Sequence, residues 1–319
     1  MLPFKPLIKG LLTWVPGAYS RFSKKKTGGT VSATYCYGVW MKHLTFLHER
    51  GLRSVPNTVA ELGPGDSLGV GLCALLSGAN HYIGLDAYPF AAEEENLRIF
   101  KELVSCFKKR KERPRKGWPD FDSYLDRSLF PGHILSVDHL EKTLSEKRLL
   151  EIENAIKRIQ NPGQTITIEY HAPWQNKKNE LKNSIDLLIS HSVMEHVVDI
   201  EDAYSIFKTW IKPGGWMTHQ IDFNSHGITK IWNAYWKYPE WIWKLILGKR
   251  PFLINREPCS KHLNCIESNG FEPLTVLKRK EEKGIGKKKL APKWKDLSDE
   301  DLKCSGLFVQ SRRLENSLY

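Results

Sequence analysis

The stretch VAELGPGDSLGVG, residues 59–71, decides the fold. Residues up to Leu62 read as an apolar strand, and the residues after Ser67 read as an apolar helix. Between them two glycines flank a proline, with acids at Glu61 and Asp66. A strand that enters a helix through glycines is a ligand site in parallel sheets. Glycine lets a ligand approach the backbone, and the helix start offers bare N–H groups.

Working outward, HYIGLDAYP (81–89) reads as a second strand ending at Asp86, and a helix follows to about Phe107. Strand–helix–strand–helix implies an α/β fold with a parallel sheet covered by helices. Further strands are expected at 164–174, 185–192 and 213–223, and again after the helix and glycine stop within 261–278 and at 306–313. Helices are expected near 138–159 and over 32–51. Residues 4–15 place Phe4, Leu7, Ile8, Leu11, Leu12 and Val15 on one helical face, which can pack on the domain or lie on a membrane surface. Residues 1–57 are expected to form an N-terminal helical cap. Residues 58–319 are expected to form one Rossmann-like domain with insertions at about 108–160 and 225–258.

The chain has 319 residues, 41% of them hydrophobic, enough for one large core with insertions. Its formal charge of +12 is concentrated in Lys24–Lys26, Lys108–Lys116 and Lys278–Lys289. Such runs face nucleic acid, anionic lipid, a phosphate-bearing substrate or solvent. No apolar run is long enough to span a membrane, and Lys244 interrupts the best one, Trp241–Leu247. No signal-peptide pattern opens the chain, and the six cysteines form no CxxC pair. Reduced thiols and a cytoplasmic location, at or away from the inner face of the membrane, are the expectation.

The acids around the glycine turn bear on the cofactor. A dinucleotide site favours G-x-G-x-x-G, and Leu68 stands at its third glycine. Glu61, two residues before Gly63, would repel a pyrophosphate but suits a ligand carrying an ammonium and a sulfonium. S-adenosyl-L-methionine is such a ligand. Asp86, at a strand end 21 positions after Gly65, can accept both ribose hydroxyls, a feature that would also suit NAD.

ELGPGDS (61–67), GLDAYP (84–89) and IDLLISHSVMEHVVDIEDAYSIFKTWIKPGGWMTHQIDF (185–223) together resemble successive motifs of class I S-adenosylmethionine-dependent methyltransferases. The resemblance implies a seven-stranded sheet whose last strand is antiparallel. It also implies cofactor contacts at Glu61, Gly63, Pro64, Gly65, Asp86, Ala87, Ala172 and Ser190. Where relatives often carry an acid after strand three, this chain has Tyr170-His171-Ala172-Pro173, so backbone or stacking contacts to adenine are expected. GGTVSATYCYGVWMKHL (28–44), HQIDFNSH (219–226), WNAYWKYPEWIW (232–243), NRE (255–257) and ESNGFEP (267–273) are similar to methyltransferases associated with bacterial surface-polysaccharide biosynthesis. That similarity implies O-methylation of a sugar or a lipid-linked glycan.

A hydroxyl acceptor benefits from a base near neutral pH, and histidine suits that task. His191 and His226 are the candidate catalytic residues, at the ends of strands four and five. His219 reads as a core histidine, and His196 as a residue of the helix after strand four. His219, Asp222 and His226 lack a further carboxylate nearby, so no metal is expected there. The aromatic residues of 228–252 can stack on sugar rings, anchor at a membrane or pack as core. With the 108–160 insertion they can also form a lid. Tyr35 and Tyr37 can touch the cofactor or fill the core. The rival functions are an RNA methyltransferase, for which no RNA-binding module is visible, a non-catalytic cofactor-binding scaffold, and a dinucleotide oxidoreductase.

Overall fold

The computed structural model describes residues 3–15, 28–114, 117–120, 130–159, 165–250 and 253–315. They are organised by a seven-stranded sheet in the order β3–β2–β1–β4–β5–β7–β6. The strands are β1 Thr58–Leu62, β2 His81–Leu85, β3 Thr167–His171, β4 Ile185–His191, β5 Ile211–Asp222, β6 Phe271–Lys280 and β7 Cys304–Arg313. β1 to β5 pair in parallel, and β7 runs antiparallel to both β5 and β6. The Rossmann-like α/β architecture expected from the sequence is therefore present. The order reverses between β1 and β4, and the crevice at their carboxyl ends is where such sheets bind ligands.

β1 is buried at every position because helices cover both faces of the sheet. On one face lie α2 (Ala33–Glu49), α3 (Gly69–Ser77) and α4 (Glu93–Lys108), with Trp40, Leu72, Ile99 and Phe107 in the core. Ser32 starts α2, its hydroxyl accepting the Tyr35 amide. α3 is apolar on every side and buried along its whole length. At Gly71 it presses on the sheet so closely that a β-carbon would collide with the Tyr82 ring. The other face is covered by α7 (Ile200–Trp210), α9 (Cys259–Ser268) and the aromatic segment after β5.

Several expectations need correction. The helix expected near 138–159 is two helices, α5 (Val137–Thr143) and α6 (Glu146–Lys157). Arg148 donates to the Leu75 and Ala79 carbonyls, and His139 bonds the Ser77 carbonyl. These contacts hold α5 and α6 at the amino-terminal end of the sheet, opposite the crevice, so they form no lid. Lys111 and Trp118 instead brace α2: Tyr37 donates to the Lys111 carbonyl and Lys42 to that of Trp118. Tyr37 is thus a core residue.

The aromatic segment is core as well. Trp232, Tyr235, Trp236, Tyr238 and Trp243 are buried, and the Arg256 guanidinium lies over the rings of Trp243 and Trp294. These rings offer no open sugar platform, because their faces cover the sheet. Trp241, on α8 (Glu240–Leu247), is the exception and is 64% exposed. The expected N-terminal cap is divided: α1 (Phe4–Leu12) packs on α8, whereas α2 belongs to the layer of α3 and α4. Of the basic runs, Lys24–Lys26 and Arg115–Lys116 lie outside the described residues. Lys278 pairs with Glu300 and Arg279 with Asp222. All six cysteines are buried free thiols. Among the described residues no helix is long and apolar enough to cross a membrane.

Candidate active site

The glycine turn forms the floor of the crevice. Gly63 and Gly65 have φ of 71° and 72°, which side-chain-bearing residues adopt only under strain. A β-carbon at Gly63 would lie 2.5 Å from the Val193 side chain. The turn after β4 is therefore seated directly on the turn after β1.

The helix start is not bare, contrary to the expectation from sequence. Ser67 N–H donates to Thr30 Oγ1 (3.3 Å), Leu68 N–H to Asn96 Oδ1 (2.8 Å) and Gly69 N–H to Ser67 Oγ (3.2 Å). Gly63 N–H donates to the Leu85 carbonyl (2.7 Å) and Gly65 N–H to Asp86 Oδ2 (3.0 Å). The Gly28 amide donates to Asp66 Oδ2 (2.9 Å), which ties the 28–31 segment over the turn. Buried amides must be paired, and this fold pairs them from within. The amides of Gly63, Gly65, Ser67, Leu68 and Gly69 are thus not free for a pyrophosphate, while Glu61, Asp66 and Asp86 surround the turn.

Asp86 is buried and its second oxygen accepts the Ala87 amide (2.7 Å). Burial raises its pKa, opposed by the amides of Gly65, Ala87 and Tyr88. Asp86 also binds β3 through its backbone, its amide donating to the His171 carbonyl and its carbonyl accepting from Trp174. Ala172 is thereby held beside Asp86. Glu61 is buried and accepts from the Tyr82 hydroxyl (2.7 Å). Burial pushes its pKa up to about 8; the Tyr82 hydrogen bond resists the rise and the Asp86 charge adds to it. Pro64 is buried in the turn, and Ala87 is half-buried beside it.

On the side of β4 and β5, His191 Nδ1 lies 3.2 Å from His43 Nε2, and His43 Nδ1 lies 2.7 Å from Thr218 Oγ1. Gln310 donates to the same hydroxyl (3.1 Å). Each shared contact holds one proton, so His43 and His191 are coupled through a chain that ends on Thr218. Burial pushes the His191 pKa down to about 3, with the nearby Lys42 charge adding to it, so the ring is neutral. Tyr35 meets His191 edge-on, with ring centroids 6.0 Å apart. Burial raises the Tyr35 pKa to about 12, and the charges of Cys36, Glu61 and Glu195 add to the rise.

His226, exposed and at φ 47°, lies 3.9 Å from Asp222 Oδ2 and edge-on to His196 at 5.1 Å. His196 sits on a single 3-10 turn, Met194–His196, and not on a helix. Asn255 clamps that turn, donating to the Met194, Glu195 and Val197 carbonyls. His219 is buried, stacks on Phe207 and pairs through Nδ1 with Ser190 Oγ (2.7 Å). That engages the Ser190 hydroxyl away from the crevice, so only the Ser190 backbone borders it. Asn96 joins the site without a signal in the sequence, whereas Thr30, His43 and Glu195 lie in the stretches 28–44 and 185–223 that carry the resemblance but received no role there. Nothing in the spacing marks His43 or Asn96 within their helices.

No family model matches the chain, and no curated protein sequence matches it. Among solved structures, a putative S-adenosylmethionine-dependent methyltransferase from Listeria monocytogenes is 13% identical with a TM-score of 0.40; the match covers 89% of this chain and 100% of that one. Geranyl diphosphate C-methyltransferase from Streptomyces coelicolor A3(2) is 12% identical with a TM-score of 0.44, covering 86% and 79%. A putative sarcosine dimethylglycine methyltransferase from Galdieria sulphuraria is 12% identical with a TM-score of 0.44, covering 88% and 86%. Strand order and site geometry define this chain as a doubly wound α/β protein whose switch-point crevice is framed by carboxylates.

Proposed function

We propose that the chain is an S-adenosylmethionine-dependent methyltransferase acting on a hydroxyl of a sugar or lipid-linked glycan. The observation that carries the cofactor assignment is the glycine turn, with the amides of Ser67, Leu68 and Gly69 already paired and three carboxylates around it. Such a turn disfavours a pyrophosphate and suits a ligand with an ammonium and a sulfonium. Bound there, the cofactor supplies an electrophilic methyl group. Gly63, Pro64 and Gly65 give it a close backbone, Glu61 balances its positive charge, and Asp86 accepts the ribose hydroxyls. Ala87 and Ala172 border the adenine, with the backbone of Ser190 beneath. His191, after β4, and His226, after β5, stand on the acceptor side as the candidate bases. Tyr35 closes the mouth from α2. Calorimetry is expected to record binding of S-adenosylhomocysteine and none of NAD; the opposite pair of results overturns the assignment.

The support for a lipid-linked acceptor comes from α1 and α8. Gly10 lets the two helices touch backbone to backbone, since a β-carbon there would collide with the Leu245 and Ile246 carbonyls. Thr13 locks the pair by accepting the Lys249 amide (2.7 Å). Phe4, Ile8, Leu11 and Trp14 are left exposed on one helix and its end, and Trp241 and Leu245 on the other. Lys5, Lys9, Lys244 and Lys249 stand exposed among them. Apolar side chains interleaved with lysines suit an anionic bilayer surface. Burying one large apolar side chain contributes about 1.5–3 kcal/mol. Trp241→Ala is therefore expected to weaken co-sedimentation with phosphatidylglycerol vesicles by roughly tenfold or more. Equal sedimentation of the two proteins would remove the membrane reading. The RNA alternative draws on basic runs of which Lys278 and Arg279 are engaged in ion pairs within the fold.

A further inference from the structure

Beside the crevice lies a cluster that alignment of a methyl donor does not by itself require. Glu195 is 2% exposed, and both its carboxylate oxygens lack a hydrogen-bond partner. Burial holds the Glu195 carboxyl well above the usual carboxylate range, opposed in part by the backbone amides of Glu195 and Asp222. His196 Nδ1, on the next residue, is also buried without a partner. One atom each from Glu195, His196 and His226 lie within 4.8 Å of one another. Three groups that can ligate a metal converge, and two of them hold buried atoms without a partner. A buried carboxylate left this way needs a cation or a donor. Arg279 does not fill that need, because it is engaged with Asp222 Oδ1 (2.9 Å).

We propose that Glu195, His196 and His226 bind a divalent transition-metal ion at the edge of the crevice, where the ion holds the hydroxyl oxygen of the acceptor. Two imidazoles and one carboxylate suit zinc, manganese or iron(II), whereas magnesium and calcium favour all-oxygen sets. Ligands about 2.1 Å from an ion stand roughly 3.4 Å apart in a tetrahedral site. Turning the exposed His226 ring inward closes the remaining gap. Asp222, 3.9 Å from His226, then serves as the carboxylate that orients the imidazole. The turn is built to stay in place: Val193 packs on Gly63, and Asn255 clamps the turn's carbonyls. This set differs from His219, Asp222 and His226, because His219 is turned into the core toward Ser190.

Ion binding stands independently of the cofactor assignment; only the ion's task toward an acceptor rests on the methyltransferase reading. The test is equilibrium dialysis of the full chain, stripped with a chelator, against zinc or manganese, with S-adenosylhomocysteine affinity measured on the same samples. About one ion per chain is expected. Glu195→Gln and His226→Ala are each expected to lower metal affinity by at least roughly tenfold. His226→Ala, at an exposed position, keeps the test valid if Glu195→Gln fails to fold. Failure of the intact chain to bind either ion, or binding that His226→Ala leaves intact, overturns the site. Metal binding without S-adenosylhomocysteine binding upholds the site and removes the methyltransferase reading.

Discussion

Asp86→Ala is expected to lower the affinity for S-adenosylhomocysteine at least a hundredfold, to below detection in calorimetry. In the free protein the carboxylate accepts the Gly65 and Ala87 amides, one on each oxygen. Each oxygen keeps a lone pair for a ribose hydroxyl. The substitution removes two hydrogen bonds to a charged acceptor, each worth about 1.5–3 kcal/mol, and a factor of ten in affinity corresponds to about 1.4 kcal/mol. It also leaves two amides unpaired at the glycine turn, so some stability is lost along with the affinity. Urea unfolding of the variant separates the two effects, because a folded protein at the assay temperature with no ligand affinity isolates the binding role. Asp86→Asn, with one remaining acceptor oxygen, is expected to fall between. Affinity of the folded alanine variant within about threefold of the unsubstituted chain, far short of the loss of two such bonds, would exclude Asp86 from the cofactor site.

Glu61 carries the second large effect, and it is readable as protons. Its folded pKa of about 8 lies above the ordinary carboxyl value of 4.5. Below that ordinary value both folded and unfolded chains hold the proton, and Glu61 contributes nothing to the pH dependence of stability. As the pH rises from there toward 8, the unfolded chain releases the proton and the folded chain retains it. Stability therefore falls across that window, by at most about 1.4 kcal/mol per pH unit, and levels off above it. Glu61→Gln keeps an acceptor for the Tyr82 hydroxyl and removes the penalty. The variant is expected to be more stable by a few kcal/mol at pH 8, the gain shrinking toward acid. An ammonium-bearing ligand reverses the balance by favouring the carboxylate. Binding of S-adenosylhomocysteine at pH 7 should then release close to one proton, seen as a binding enthalpy that varies with the ionisation enthalpy of the buffer. The Gln variant should release none and bind roughly tenfold more weakly, as expected for a lost charge-assisted contact. A buffer-independent enthalpy for the unsubstituted chain would show that Glu61 does not meet the ligand's charge.

Asp86 and Glu61 are both legible from residue type and spacing. The remainder of the site is less so. The place of His191 after β4 suggests a base, but its pairing with His43, 148 positions away, and the burial that keeps its ring neutral are not readable there. The tryptophans of 228–252 suit a platform, a membrane anchor or core equally well as a sequence. In the fold their faces are needed by the sheet, and Trp241 alone among the six Trp and Tyr residues considered there remains open to solvent. A helix start after a glycine turn ordinarily greets an anion, but here Thr30 and Asn96 arrive from separate segments to pair its amides.

By itself the sequence determined the strand, glycine turn and helix at 58–77, the acid at the end of β2, and the succession of strands and helices that implies a parallel sheet. These are local matters, governed by side-chain period and by the positive φ that Gly63 and Gly65 accept. The tertiary structure decided which amides of the turn are free, which histidines share protons, and that Glu195 meets His226 across 31 positions. Buried polar groups must find partners or a ligand, and the partner at hand depends on which crossovers the closed sheet brings together.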